Sequence, residues 1–335
     1  MPPSCATTQR SKRPTWAACI NAAVAHPSHT AHPSQAGFVW TLLAATFLMG
    51  SSFIAGKILL QAGFTPMVLV GWRFLVAAGA TLPFVLLDAG PLRQALLPRA
   101  MTLRGALVVV LIGLLQTAAV MGLLFVAMRT IAASTAAILL FTNPIWVAVL
   151  GKIFLGESLH RTRLLGLVLG IVGVTLAIGS GVGSLPGADA LAGQAIGLAS
   201  AWCWAAATII NKRTRLPIGS WALSFWQMLV GALTVLAIAY GSGEHWPQTT
   251  THAQWGWFFW LAIPASTGSF GLWFVALKKG GATRTSGYLF LAPLFTVLLS
   301  FLVLGNTLVW AQALGGVLIG LSLWLVNRQP AAYRF

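Results

Sequence analysis

The chain has 335 residues, of which 58 % are hydrophobic and 7 % charged, against roughly 25 % charged in an ordinary soluble domain. Its net charge of +16 comes from 20 basic and only 4 acidic side chains. A water-soluble enzyme and a disordered chain both need more charge than this, so composition predicts an all-α integral membrane protein. Three scattered cysteines, Cys5, Cys19 and Cys203, frame neither a disulfide scaffold nor a metal site.

Residues 1–36 are rich in Pro, Ser, Thr, Ala and His, too polar to pack a core, and are read as a disordered cytoplasmic tail. Trp16 to Ala25 imitates a signal peptide ending in Ala23-Val24-Ala25. It is short and interrupted by Asn21, and the first span can itself target the chain, so no cleavage is expected. His26 and His32 lie in a doubled Ala-His-Pro-Ser with His29 between the two copies, read as solvated tail in preference to a metal-binding tract.

A helix needs about 20 mostly apolar residues to cross the hydrocarbon layer. Ten such stretches follow the tail, at 38–60, 65–87, 104–128, 131–154, 162–180, 192–212, 219–240, 253–277, 284–304 and 309–327. Prolines and glycines inside them are tolerated, because neighbouring helices can satisfy the freed backbone groups. Residues 37–180 thus hold five spans, 181–191 form a linker, and 192–328 hold five more. The connections are too short for a soluble catalytic domain.

Counting ends alternately from an inside N-terminus puts 16 of the 20 basic residues on one side, from Arg10 and Arg93 through Lys212 and Lys278 to Arg334. The other side holds Arg129 with Asp189 and Glu244, while Lys57, Arg73 and Lys152 fall inside spans. Cytoplasmic loops collect Lys and Arg, so both termini are expected in the cytoplasm of a cell-membrane protein. The basic charge is spread over six segments in place of one patch, which removes nucleic acid as a partner.

The chain also repeats itself. At a shift of 149 residues, Gly122-Leu123-x-Phe125-Val126-Ala127 matches Gly271-Leu272-x-Phe274-Val275-Ala276, and Leu140-Phe141-x-x-Pro144 matches Leu289-Phe290-x-x-Pro293. The same register carries Leu155-Gly156 onto Leu304-Gly305 and Leu165-Gly166-x-Val168 onto Leu314-Gly315-x-Val317. With small loop differences, Trp72 falls on Trp226 and Lys57 on Lys212. Five spans per half is an odd number, so the second half crosses the membrane in the opposite sense. Ten transmembrane helices in two inverted five-helix repeats are the architecture of a secondary transporter.

Several residues further resemble the EamA-type transporters of the drug/metabolite transporter superfamily. They are Gly50-Ser51-Ser52-Phe53 followed by Lys57, then Pro66 and Arg73-Phe74, then Ala136, Pro144 and Leu155-Gly156-Glu157. The likeness covers about 38–327. It implies a ten-helix bundle, usually exporting amino acids or other small metabolites. The second half departs from the pattern at Gln227, where Arg73 stands, and at Asn306, where Glu157 stands. Equal roles for these paired positions are therefore not expected.

Substrate sites in such proteins lie near the bilayer midplane beside broken helices. Pro144 and Pro293 recur at the same depth, and each frees a carbonyl, of Leu140 and of Leu289, by lacking an N–H; they are the candidate hinges. Pro264 has no partner at this register. The midplane hydroxyls, Ser51, Ser52, Ser266, Thr267 and Ser269, can be satisfied by neighbouring helices. The amides of Gln116 and Asn143 would waste hydrogen-bonding capacity in a dry bundle, and Trp202 and Trp204 sit mid-span, away from the interfacial belts. The candidate cavity wall is therefore Ser52, Gln116, Asn143, Trp202, Trp204, Ser266 and Thr267. Lys57 and Arg73, the intramembrane basic residues, either attract a substrate carboxylate or phosphate or snorkel to the outer interface. Lys152 and Glu157 read as an anchor at the inner membrane edge, Glu157 being also placed to lock an inner gate with an Arg.

No zinc spacing, phosphate-cradling loop or pair of carboxylates is present, so neither cofactor nor metal is expected. The reading is a secondary transporter exporting a small organic metabolite by alternating access. The alternatives are an importer of a small metabolite or sugar derivative, and an integral membrane enzyme. The expected partners are a small-molecule substrate and the lipid bilayer. No acidic residue lies near a midplane, which predicts transport down the solute's own gradient.

Overall fold

The computed structural model describes residues 35–89, 91–127, 130, 138–178, 188–305 and 310–327. The tail histidines, Arg129, most of the 181–191 linker and Asn306 lie outside the described residues.

Where its residues are described, each expected span is helical over most of its length. α1 (Gln35–Gln61) and α2 (Pro66–Ala89) are joined by a tight turn through Gly63, whose φ of 92° only glycine adopts freely. A short α3 (Leu92–Leu96) leads to α4 (Leu103–Gly113), capped by Thr102, whose hydroxyl accepts the Gly105 N–H at 3.1 Å. A wide helical turn, Leu114–Ala119, passes into α5 (Val120–Ala127). α6 (Asn143–Leu155) and α7 (Arg161–Ile178) complete the first half.

The second half contains α8 (Ala188–Thr214), α9 (Ser220–Gly241) and α10 (His252–Ala262). A second wide turn (Ile263–Gly268) follows, then α11 (Ser269–Lys279), α12 (Ala282–Gly287), a tight turn at Tyr288–Phe290, α13 (Leu291–Leu304) and α14 (Trp310–Asn327). Among the described residues, nine helical runs are long and apolar enough to cross a membrane. α7, with 18 residues, takes the place of the fifth span and ends where its described segment does, so the count of ten is approximate. α8 starts inside the segment read as linker, with Asp189 in the first turn where the helix dipole favours an acid.

The 149-residue register is written into the backbone. The wide turns at 114–119 and 263–268 are one register apart, as are Gly156 and Gly305, which end α6 and α13 in the left-handed conformation at φ 65° and 67°. Pro144 lies in the first turn of α6 and Pro293 in the first turn of α13. The missing N–H is harmless there, because the first amides of a helix have no intrahelical acceptor. Both spans are thus interrupted just before the proline.

Packing between the halves is reciprocal. α2 lies on α9, and α7 on α14. α8 packs against α5 and α6; in return, α1 of the first half meets α10 and α13 of the second. The Trp260 indole donates to Ser51 Oγ at 3.1 Å, and Thr296 Oγ1 donates to the Gly50 carbonyl at 3.1 Å. A two-fold axis generates this pattern. The repeat is also inverted: Glu244, just past α9, accepts the Met67 N–H at 3.0 Å at the start of α2, while Asp88 near the end of α2 lies beside Gly219 at the start of α9. Equivalent second helices therefore run in opposite senses. Large apolar side chains cover the outer surface (Trp310 is 92 % exposed), as a lipid-facing bundle requires.

Candidate functional site

Three of the sequence-derived residues lie on α8 or on elements packed against it. Gln116, in the first wide turn, is 2 % exposed, and neither of its amide atoms has a hydrogen-bond partner among the described residues. Asn143 opens α6 and donates from Nδ2 to the Ala201 carbonyl at 3.2 Å, leaving its Oδ1 without a donor. Trp204 follows one turn after Ala201; its indole N–H has no acceptor among the described residues, and its ring lies 6.3 Å from that of Trp273 in a T-shaped contact. The Trp273 N–H is likewise without a partner among the described residues. Each such buried group costs about 1–3 kcal/mol, so their concentration needs an explanation beyond packing.

A second polar contact involves α2. Arg73 Nε donates to Ser266 Oγ at 2.8 Å, and the guanidinium lies 4.6 Å over the ring of Phe74. Ser266 in turn donates to the Leu261 carbonyl at 2.8 Å, and Thr267 to the Ala77 carbonyl at 2.7 Å, midway along α2. The two-fold mate of this contact is present too. Thr117, which stands at the register of Ser266, donates to Oε1 of Gln227, the counterpart of Arg73, at 2.5 Å. The second helix of each half thus reaches the wide turn of the other half.

Other candidates sit apart. Ser52 donates to the Met49 carbonyl of its own helix at 2.7 Å. Trp202 is 48 % exposed, against 7 % for Trp204. Lys57 is exposed, and Pro144 and Pro293 are buried at the two helix starts. The sequence reading missed Trp273, Thr117 and Ser224, whose hydroxyl is also buried without a partner. Trp273 occupies the variable place of the repeated Gly271-Leu272-x-Phe274 motif, and the 149 shift lays Thr117 on Ser266. Those were the available signals.

At the end of the bundle rich in basic residues, a cavity of about 600 Å³ is lined by Glu157, Lys212, Arg215, Ser220, Leu223 and Phe274 among others. Glu157 accepts the Ala282 and Thr283 N–H groups at 2.7 and 3.1 Å, and Lys212 donates to the carbonyls of Leu277, at 2.7 Å, and Gly280. The acid therefore caps the start of α12 and the lysine the end of α11, each matched to the local dipole. Glu157 thus gives both carboxylate oxygens to backbone amides at this end of the bundle. At the opposite end Trp246 packs against Phe64, Trp255 and Phe258 with centroids 5.0, 5.7 and 5.2 Å apart.

A family model described as the EamA-like transporter family matches residues 36–179 and again 191–328. The uncharacterized transporter YyaM of Bacillus subtilis is 23 % identical over 286 residues, covering 84 % of this chain and 90 % of its own length. A chloroplastic WAT1-related protein of Arabidopsis thaliana is 24 % identical over 299 residues, 86 % of this chain and 69 % of its own. Protein PecM of Dickeya dadantii is 28 % identical over 208 residues, 61 % of this chain and 68 % of its own. A solved crystal structure aligns over 87 % of this chain and 97 % of its own at a TM-score of 0.73 and 16 % identity, a likeness of fold.

Proposed function

The chain belongs to the EamA-like transporter family, and from that premise we propose that it exports a small organic metabolite across the cell membrane by alternating access. The solute site lies between the halves, with Gln116 and Asn143 supplied by the first and Trp204 and Trp273 by the second. One observation carries this reading: among the described residues these four side chains are buried and retain unpartnered polar atoms, whereas most buried hydroxyls donate to helix carbonyls; Gln227 Nε2 and the hydroxyls of Ser224, Thr285 and Ser322 are the further unpartnered amide and hydroxyl groups. A solute that supplies the missing partners accounts for their retention.

The cavity at the basic end supports loading from that side. Positive charge marks the cytoplasmic face, so the termini and the cavity mouth are assigned to the cytoplasm. Two inverted halves can exchange conformations about a fixed site, opening it first to one side and then to the other. The experiment is transport in liposomes, with labelled amino acids and related metabolites screened for movement that depends on the protein. Asn143→Ala and Trp204→Phe are expected to slow the transported solute about tenfold or more, the loss of a hydrogen bond to a buried group, with insertion and gel-filtration behaviour unchanged. Wild-type kinetics in both variants would overturn the site.

A further inference from the structure

Arg73 carries a charge that its contact in the scaffold does not require. The pseudo-two-fold gives the comparison inside one chain: Arg73 reaches Ser266, while Gln227 holds the equivalent contact with Thr117 as a neutral amide. Helix two is anchored to the opposite wide turn in both halves, yet only one anchor is cationic.

A snorkelling arginine would extend its head group to the interface. Arg73 instead bonds inward to a fully buried serine and lies over a fully buried phenylalanine ring. Phe74 shares its apolar cluster with Ala118, so the wide turn that carries Gln116 borders the same platform. Among the described residues Arg73 forms no ion pair. Of the chain's four acids, Glu157 and Glu244 cap helices, Asp88 lies beside Gly219 and Asp189 begins α8. A cation inside a membrane bundle without an anion is expensive and by default functional.

We infer that Arg73 recognises a carboxylate on the transported solute, which makes the substrate class a small organic acid. Its fork of N–H donors matches a carboxylate in both shape and charge. A phosphate monoester, at nearly two negative charges, would leave one uncompensated beside a single guanidinium. Among the unpartnered buried atoms, the nitrogens of Gln116, Trp204 and Trp273 are donors that a carboxylate can accept from, while Gln116 Oε1 and Asn143 Oδ1 are acceptors that call for a donor elsewhere on the same solute.

This inference rests on the transporter reading and is tested by binding, so the two can fail separately. Thermal unfolding of the purified protein is followed with sodium acetate, pyruvate and benzoate, with acetamide, pyruvamide and benzamide as the matching amides, and with glycerol phosphate. At least one acid is expected to raise the midpoint while its amide and the phosphate ester do not. Arg73→Gln, which copies the residue at position 227, is expected to weaken that acid's binding about tenfold or more, and Arg73→Lys to weaken it less. Amides stabilising as well as acids, the phosphate ester alone stabilising, no acid stabilising, or an unchanged acid response in Arg73→Gln would each overturn the inference. If Arg73→Gln does not fold, the comparison of acid with amide on the wild type and Arg73→Lys still decides it. Binding of an acid through Arg73 without its transport in liposomes would instead count against the transporter reading.

Discussion

Gln116 and Gln227 are both long amides inside the membrane, and the bundle treats them differently. Gln227 accepts a hydrogen bond from Thr117, whereas Gln116 is bonded to nothing among the described residues. A purely structural Gln116 would gain from replacement by leucine, which fills similar volume and removes two unpaired polar atoms. Gln116→Leu is therefore expected to hold or raise stability, by up to about 1–3 kcal/mol, while transport falls about tenfold. Unfolding in detergent read beside liposome flux separates these effects; unchanged flux would show that the residue is scaffold. Gln116 and Asn143 were legible because a large amide in the middle of an apolar span stands out by itself. Trp273 was not, since a tryptophan within Gly271-Leu272-Trp273-Phe274 reads as packing until the fold shows its N–H without an acceptor. The partner of Arg73 was equally hidden: Ser266 is 193 positions away and on the other half.

At the scale of elements, helix existence follows from apolar length, but helix shape does not. The second wide turn has a cause in Pro264, which lacks an N–H and crowds the preceding turn. The first, Leu114–Ala119, contains neither proline nor glycine, and only the repeat register marks it. The α7–α14 seam was more legible, because small residues at Gly166 and Gly170 announce close packing. A Cβ on Gly173 would lie 2.8 Å from the Gly315 carbonyl oxygen and 3.0 Å from the Ile319 nitrogen, so backbone would have to part. On Gly320 it would meet nothing within 4 Å. Gly173→Ala is expected to destabilise by about 1–3 kcal/mol through overpacking. Gly320→Ala should be neutral or stabilising by about 0.4–1 kcal/mol, through the less flexible unfolded chain. Equal effects on the unfolding midpoint would mean that the seam is not closely packed.

The whole molecule brings together charge, symmetry and energy. The odd number of spans per half made the inversion legible, and the chain of contacts from Glu244 to the start of α2 and from Asp88 to the start of α9 gives it in space. The energy source follows from where the acids lie. Proton-driven carriers relay protons through carboxylates or histidines held in the membrane. Here all four acids stand at element ends, and His160, His245 and His252 lie in connections or at a helix start. A monocarboxylate passing Arg73 needs no proton relay. Under the export proposed above, a monoanion leaving a cell whose interior is negative would move with a drive of about 2.3 kcal/mol per 100 mV. In liposomes at equal pH on both sides, the acid that stabilises the protein is expected to move towards the positive side when a potassium diffusion potential is imposed, and Glu157→Gln should leave that dependence intact. Indifference to potential, together with uphill accumulation driven by a pH gradient alone and lost in Glu157→Gln, would place the coupling in the carboxylate at the mouth of the basic cavity.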